Sequence, residues 1–461
     1  MTKAIVVAGS CAGVGKTTVA VGLAAALTKR GLKVQTFKVG PDGYDSSWLS
    51  VASGRPSVNL DLWMMPKRAV LEVYGRHAGR ADICVIEGMM GLYDGMSMRG
   101  AAVSTADVNG LLGAPVLLVV DASAMAESAA AVVHGFATFG EVPLKGVVFN
   151  RVGEKHYARL RSAVEVVGDV EPVGFLPPEE GLALPDRPPG LVAAEESRAK
   201  ELSRALGEKV EGCLDVDEIL EIAGNAAEHK VVPPTKKGSV KSRARIAVAR
   251  DAAFHFYYEE NLLALKAAGA EIVPFSPLKE KELPFAVSGL YLGGGFAEIH
   301  AETLDKNKAL RDAVRKAIDG GMPTYAECGG MMYLAKHFVG TGVRAWEMAG
   351  VLPGEVSMSR GASGYATAVA ARNTFLVKKG ESLRGHEFRP ATWSGEGGDE
   401  SLYRVSRPGR DDGRLEGLGR ESLHASFVHL HFTSCPEVPE RFVEAAEVHA
   451  KASGRRKGKK K

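Results

Sequence analysis

The sequence has no run of about 18 or more consecutive apolar residues, so no membrane-spanning helix is expected. It has only five cysteines, none in a CxxC pair or a zinc-like cluster. That excludes a disulfide framework and fits a reducing cytoplasm. No strong excess of one charge is present: 58 Lys and Arg face 55 Asp and Glu, and much of the excess lies in KASGRRKGKKK at 451–461. A general nucleic-acid role is therefore not expected. No internal repeat is visible, and MTKAIVVAGS runs straight into a strand-like segment with no signal-peptide cleavage region. What is present is ordinary soluble composition, 45% apolar and 25% charged over 461 residues, enough for two or three domains.

The first half alternates short apolar runs with helical stretches. Residues 4–9, 33–40, 83–88, 114–121 and 145–152 read as buried strands, and 16–31 as a helix ending at Gly31. Continuous Val, Ile and Leu runs bounded by glycine suit a parallel sheet covered on both faces, so a doubly wound α/β domain is expected over 1–228. The Pro-, Lys- and Gly-rich stretch 229–243 reads as a linker. The pattern restarts with strands at 245–251, 271–277, 289–295 and 322–330 and a helix at 260–270, predicting a second α/β domain over 244–450. Residues 451–461 are expected to be a disordered basic tail.

GSCAGVGKTT at 9–18 follows a strand and opens a helix, the context of a phosphate-binding loop. Gly9, Gly13 and Gly15 let the backbone approach phosphate oxygens, Lys16 adds a point charge, and the hydroxyls of Thr17 and Thr18 lie at the helix start, Thr17 placed to ligate Mg²⁺. The leading glycine stands one residue further back than in the strict motif. In FKVGPDGYDSSW, residues 37–48, Lys38, Asp42, Tyr44 and Asp45 follow the second strand at its carboxyl end, where open α/β sheets bind ligands. Asp42 and Asp45 could hold Mg²⁺, orient a reacting carboxylate, or cap a turn. In VIEGMMGLYDGMS, residues 85–97, Glu87 ends a buried strand, where a carboxylate is costly unless it meets a cation. Asp94 follows in a glycine-rich loop as a functional or a turn residue. Asn150 closes another strand and could be a cap.

The loop resembles that of dethiobiotin synthetase and its relatives. GPDxxD, GRPSVNLDLWMM at 54–65, IEGMMGLYDG, STADV at 104–108 and GVVFNRV at 146–152 together resemble the cobyrinic acid a,c-diamide synthase family, from residue 3 to about 445. The resemblance implies ATP-binding and adenine contact at Asn150, metal binding by Thr17, Asp45 and Glu87, and carboxylate activation by Lys38, Asp42, Tyr44, Asp45 and Asp94.

In the second half, YAECGGMMYL at 325–334 places Cys328 in a tight turn between strand and helix, followed by Gly329 and Gly330. Such a turn exposes a nucleophile. GGGFAEIH at 293–300 can present backbone N–H groups to an oxyanion, with Gly294, Gly295 and Gly329 as candidates. HASFVHLHF at 424–432 puts His429 and His431 on one strand face. These segments resemble class I glutamine amidotransferases, and that pattern favours His431 as the base for Cys328. The carboxylate usual two residues beyond is replaced by Thr433, Glu437 is a weak substitute, and a Cys–His dyad is expected. His386 and Glu387 are read as structural.

The implied reaction uses ATP, Mg²⁺ and L-glutamine. Ammonia released from glutamine attacks an acyl phosphate formed on an acetate carboxylate of a tetrapyrrole, in a cytoplasmic enzyme of carbon–nitrogen ligase type. Gly43, Ser46, Leu49, Pro188 and Pro189 depart from the family pattern, so cobyrinic (or hydrogenobyrinic) acid, nickel sirohydrochlorin and siroheme remain competing substrates. A switch ATPase of ParA or MinD type is the alternative class. No nucleic-acid or membrane partner is expected, and a homodimer is left open.

Overall fold

The computed structural model describes residues 2–98, 101–187, 190–191, 194, 198–228, 242–340, 344–359, 363–388, 391–395, 401–410 and 413–458. The chain divides into two compact units, 1–236 and 237–461, a division that falls inside the stretch expected to be the linker. Pro188 and Pro189 and residues 229–241 lie outside the described residues.

The first unit is built on seven parallel strands: β1 (Lys3–Gly9), β2 (Val34–Val39), β3 (Val58–Leu60), β4 (Ile83–Glu87), β5 (Val116–Asp121), β6 (Leu144–Asn150) and β7 (Glu171–Leu176). Their order is β3-β2-β4-β1-β5-β6-β7, so the chain winds both ways from the centre. The central strands are buried along their length, as expected for apolar runs covered on both faces. Helix α1 (Lys16–Lys29) is rich in alanine and lies against Ala199–Cys213, where Gly22 and Gly207 let the two backbones approach; a Cβ on Gly22 would stand 3.1 Å from the Leu206 carbonyl oxygen. Helix α2 (Tyr44–Ser53) follows β2. The two strands that the sequence pattern does not reveal, β3 and β7, are the sheet edges: one is three residues long, and the other carries Pro172 and Gly174.

The second unit has a mixed ten-stranded sheet. Its parallel half comprises β8 (Ala244–Ala249), β9 (Ala270–Phe275), β10 (Gly289–Leu292) and β11 (Thr324–Glu327), joined in parallel by Leu423–Ser426. The other half is antiparallel and runs through Arg414–Arg420, Ser401–Ser406, Ser363–Ala370 and Ser382–Phe388 to β12 (Val428–Leu430). A second α/β domain is thus present, with an antiparallel extension that ordinary strand alternation around GYATAV and RGHEF only hints at. Helix α3 (Glu259–Ala268) follows β8, and α4 (Gly329–Leu334) follows β11. The last helix, Val438–Gly458, continues well into the segment expected to be a disordered tail, because residues 438–453 keep a helix-compatible sequence without glycine or an internal proline break after Pro439. Among the described residues no helix is long and apolar enough to cross a membrane.

Candidate active sites

In the first unit the phosphate loop turns on Gly13 (φ 78°) and Gly15 (φ 91°), both in the left-handed region that glycine tolerates. Gly15 is the N-cap of α1 and supplies no side-chain cap to the first-turn N–H groups, the groups that bind phosphate at a helix start. Gly9 ends β1, and a Cβ there would crowd the Cys11 carbonyl oxygen and the Lys16 stem at 2.9 Å. Lys16 is buried, its Nζ donating to the Cys11 carbonyl at 3.2 Å. Burial, and then the neighbouring Lys38 charge, lowers its pKa. Thr18 is half-buried in the first turn of α1. Asn150, at the end of β6, donates from Nδ2 to the Val14 carbonyl at 2.8 Å, and Arg151 donates to the Gly13 carbonyl at 3.0 Å. The asparagine therefore braces the phosphate loop rather than capping a helix. Arg151 was not singled out from sequence; its own positive φ of 62° is the structural mark of a constrained position.

The ends of β2 and β4 are neighbours in the sheet, with Lys38 opposite Glu87. Lys38 Nζ lies 2.9 Å from Glu87 Oε1 and 2.6 Å from Asp45 Oδ2, and donates to the Gly88 carbonyl at 3.1 Å. Thr17 Oγ1 donates to the same Glu87 Oε1 at 2.6 Å. Lys38 and Glu87 are 3% and 0% exposed, so this is an ion-pair cluster removed from water. Burial opposes the Lys38 charge, but Asp45 and Glu87 outweigh it and hold the ammonium above its ordinary pKa. Burial pushes Glu87 up to about 7, against the pull of Lys38 and with the help of Asp45.

Two predicted members stand apart from that cluster's contacts. Asp42 Oδ1 accepts from the Tyr44 and Asp45 amides at 2.7 and 3.0 Å, closing the turn that leads through Gly43 into α2. Asp94 is exposed, and its Oδ2 accepts from the Gly91 amide at 3.1 Å, closing a turn. Tyr44 is buried at the start of α2.

A magnesium ion would find hard oxygen donors here. Among the described residues no group of three or more His, Cys, Asp or Glu side chains has metal-holding geometry. Glu87 Oε2, however, is buried without a hydrogen-bond partner, beside the Thr17 hydroxyl and the Asp45 carboxylate. One hydroxyl and one or two carboxylates, completed by phosphate and water, is the donor set Mg²⁺ takes in nucleotide sites.

In the second unit Cys328 sits between β11 and α4 with φ 44° and ψ −104°, a strained backbone for a residue with a side chain. Its amide is spent on the Ser426 carbonyl at 2.8 Å, and Sγ lies 3.3 Å from the Phe388 carbonyl. Burial, then the Glu298 charge, pushes the thiol well above its ordinary pKa, while the Gly329 amide works toward thiolate. The glycine loop adjoins this turn. Gly330 N donates to the Gly293 carbonyl at 3.0 Å, and a Cβ on Gly329 would stand 3.2 Å from the Gly295 carbonyl oxygen. Gly295 has φ 148°, and the His429 ring borders Gly294. Gly294, Gly295 and Gly329 are thus gathered around the cysteine turn.

The two histidines of β12 and its end have different surroundings. His429 packs on Phe256 with ring centroids 4.4 Å apart, and its Nδ1 is 3.8 Å from Glu327 Oε2. His431 Nδ1 lies 2.7 Å from Thr433 Oγ1, and Nε2 is buried without a hydrogen-bond partner. Burial, opposed by Glu260, draws His431 down to about 4. Glu437 faces Cys435, 3.4 Å away, and not His431. His386 is half-buried with its ring edge-on to Tyr365, and Glu387 pairs with Arg414.

Three residues to which the sequence reading gave no role hold the turn and the histidine strand together. Glu327 accepts from Tyr291 and Tyr325 hydroxyls and, at 3.0 Å, from the Leu430 amide, which ties β12 to the residue before the nucleophile. Asn261 of α3 donates to the Leu430 carbonyl at 2.7 Å and accepts from the Phe432 amide at 2.8 Å. Thr433 completes the set. Only the tertiary fold brings Asn261 to the histidine strand, so no local signal marks it.

The family profile of the CobQ/CobB/MinD/ParA nucleotide binding domain matches residues 5–187, and that of the CobB/CobQ-like glutamine amidotransferase domain matches 245–436. The chain is 39% identical over 454 residues to a protein of Priestia megaterium named cobyrinate a,c-diamide synthase, covering 97% of this chain and 98% of the relative. A protein of the same name from Listeria monocytogenes serotype 4b is 39% identical, covering 93% and 96%. Another, from Syntrophotalea carbinolica, is 41% identical, covering 95% and 98%. The chain belongs to the cobyrinate a,c-diamide synthase family of glutamine amidotransferases.

Proposed function

We propose that this protein uses ATP and glutamine to convert the a and c acetate carboxylates of cobyrinic acid into carboxamides. The observation that carries the proposal is the presence, in one chain of this family, of a phosphate loop joined to a buried Lys38–Asp45–Glu87 cluster and of a cysteine on a strained turn.

In the first unit the loop amides and Lys16 bind the ATP phosphates, and Asn150 keeps the loop in shape beside adenine. A carboxylate oxygen of the substrate attacks the γ-phosphorus as the bond to ADP breaks, giving an acyl phosphate. Lys38, held charged by its neighbours, offsets negative charge that builds on the transferring group. Thr17, Glu87 and Asp45 would hold Mg²⁺, which supplies charge neutralisation between the phosphates when bound. In the second unit Cys328 attacks the glutamine amide with His431 handling the protons, and backbone amides around Gly294, Gly295 and Gly329 receive the oxyanion. Ammonia then displaces phosphate from the acyl phosphate, forming the amide.

The C-terminal glutamine site speaks against a nucleotide switch of ParA or MinD type, which has no use for it. The test is ADP formation with glutamine and Mg²⁺ on cobyrinic acid, nickel sirohydrochlorin and siroheme, with product masses read in parallel. Cobyrinic acid should turn over with one hydroxyl exchanged for one amino group per ADP, up to two exchanges. Turnover of a sirohydrochlorin instead, or ATP hydrolysis without any amide, would overturn the proposal.

A further inference from the structure

We propose that Met90 is a substrate-positioning residue for the acceptor: its exposed side chain takes the flat apolar face of the tetrapyrrole while an acetate carboxylate of that ring reaches the Lys38 cluster. This rests on the tetrapyrrole reading above and adds a contact to it.

A single exposed apolar side chain needs no explanation by itself. The setting of Met90 is what gives it one. The residue is 52% exposed and has φ 48°, a left-handed backbone that favours glycine. Glycines stand close by at 88 and 91, yet the position with the glycine-like backbone carries a long thioether. Among the described residues three other non-glycine positions have positive φ: Cys328 on the nucleophile turn, Arg151 bonded to the phosphate loop, and the exposed Ala286. Two of the three thus belong to the sites already described, where such strain is held in place by the surroundings.

The chain is fastened on both sides of Met90. Gly88 donates to the Val7 carbonyl at 2.9 Å, and its own carbonyl accepts from Lys38 Nζ at 3.1 Å. Met89 turns inward: its amide and carbonyl both bond the Thr105 hydroxyl, at 3.0 and 3.1 Å, and its sulfur covers Gly40, 2.6 Å from where a Cβ would stand. Beyond Met90, a Cβ on Gly91 would stand 3.2 Å from the Ser10 carbonyl oxygen, and Leu92 donates to the Gly9 carbonyl at 2.8 Å. Two residues before Met90 the chain binds Lys38, and two residues after it the chain binds the start of the phosphate loop.

The sheet order indicates which substrate this side chain serves. β4, which leads to Met90, lies between β1 and β2, on the Lys38 side of the phosphate loop. Asn150, which the reading above sets beside adenine, ends β6 on the other side of β1. Met90 is therefore on the acceptor side and not the base side. The acceptor's carboxylate goes to charge, whereas its conjugated ring presents a broad apolar face, which a flexible, polarizable thioether fits.

The experiment measures cobyrinic acid binding to the full chain by equilibrium dialysis, together with the KM values for cobyrinic acid and ATP. Met90→Gln keeps the length and removes the apolar end. About half of the Met90 surface is already covered, so its remaining burial is worth roughly 3- to 10-fold, and the Kd and KM for cobyrinic acid should rise by that factor. The KM for ATP and the release of glutamate from glutamine should not move, and Met90→Leu should stay within about twofold of wild type. Met90→Gly suits the backbone, so it should melt within about 2 °C of wild type and still show the same rise, which separates a lost contact from a damaged loop. An unchanged Kd in Met90→Gln overturns the proposal. So does an equal rise in the KM for ATP, or a loss confined to glutamine-supported turnover with ammonia-supported turnover intact. A wild-type chain that amidates no tetrapyrrole overturns the reading above, and this proposal with it. Turnover of nickel sirohydrochlorin in place of cobyrinic acid overturns only the acceptor assignment, and the same rise in Met90→Gln is then expected with that ring.

Discussion

Replacing Lys38 by methionine tests whether the buried cluster is held by one cation. Methionine fills a similar volume, so the change removes charge and hydrogen bonds rather than packing. The lost contacts are those to Asp45 at 2.6 Å, Glu87 at 2.9 Å and the Gly88 carbonyl at 3.1 Å. Removing one partner of a buried ion pair costs about 3–5 kcal/mol, because the remaining charge is left uncompensated. In a unit of this size each kcal/mol lowers Tm by about 2–4 °C, so a drop of roughly 6–20 °C is expected above neutral pH. The sign with pH follows from Glu87. Its folded pKa, already raised from 4.5 to about 7, rises further without Lys38. A carboxyl raised in the folded state contributes full stability below its unfolded pKa, and that stability is lost as pH rises through the folded value. The deficit of Lys38→Met should therefore be largest near pH 8 and shrink toward about pH 5, as the orphaned carboxyls take up protons. Calorimetry of both proteins at the two pH values reads this directly. A Tm deficit of equal size at both, or none at the higher pH, would refute the single-cation account. ADP formation should be lost in the variant even where it is folded.

Cys328→Ala should abolish glutamine-dependent turnover while ammonia-supported ADP formation continues; retained glutamine use would discredit the nucleophile assignment. Gly15→Ala forces a side chain onto a φ of 91° and drives its Cβ into the Asn150 amide. About 1–2 kcal/mol of strain at the loop should raise the KM for ATP roughly tenfold, read by ATP titration of ADP release, with the glutaminase unaffected. Glu87→Gln should remove Mg²⁺-dependent ADP formation and flatten the loss of stability that the wild type shows as pH rises from 4.5 through about 7, measured as urea midpoints.

The parts of the sites legible from sequence are those that one short segment determines. A strand, a glycine loop and Lys16, the first residue of a helix, follow one another within Lys3–Lys16, so their geometry follows from local chain rules. Glu87 was legible for another reason: a carboxylate at the end of the apolar run ICVIE has to meet a cation, and the sheet order then supplies Lys38. Asp42 and Asp45 could not be told apart in this way. Both sit at the start of α2, and only the three-dimensional placement decides that Asp42 turns to the backbone while Asp45 reaches Lys38. Thr433 was visible as a departure from a pattern, but its hydrogen bond to His431 was not. Glu327 was hidden because its partners, Tyr291 and the Leu430 amide, are 36 and 103 residues away.

The departures at Ser46 and Leu49 have a packing explanation that bears on the substrate. Leu49 is fully buried beside Trp48 in the hydrophobic core of the first unit. Ser46 is buried as well, and its hydroxyl donates to the Asp42 carbonyl at 2.9 Å within the first turn of α2. Ser47, between them and half-buried, binds its own helix through Tyr44 and receives the Ala194 amide. Leu49, with no accessible surface, cannot distinguish a corrin from a sirohydrochlorin by contact; it can only set how α2 seats on the sheet. The same helix carries Asp45, half-buried, in its first turn, 2.6 Å from Lys38. Leucine and serine at these two positions therefore bear on the seating of α2 and so on the placement of Asp45, and they give no ground for preferring a sirohydrochlorin over cobyrinic acid.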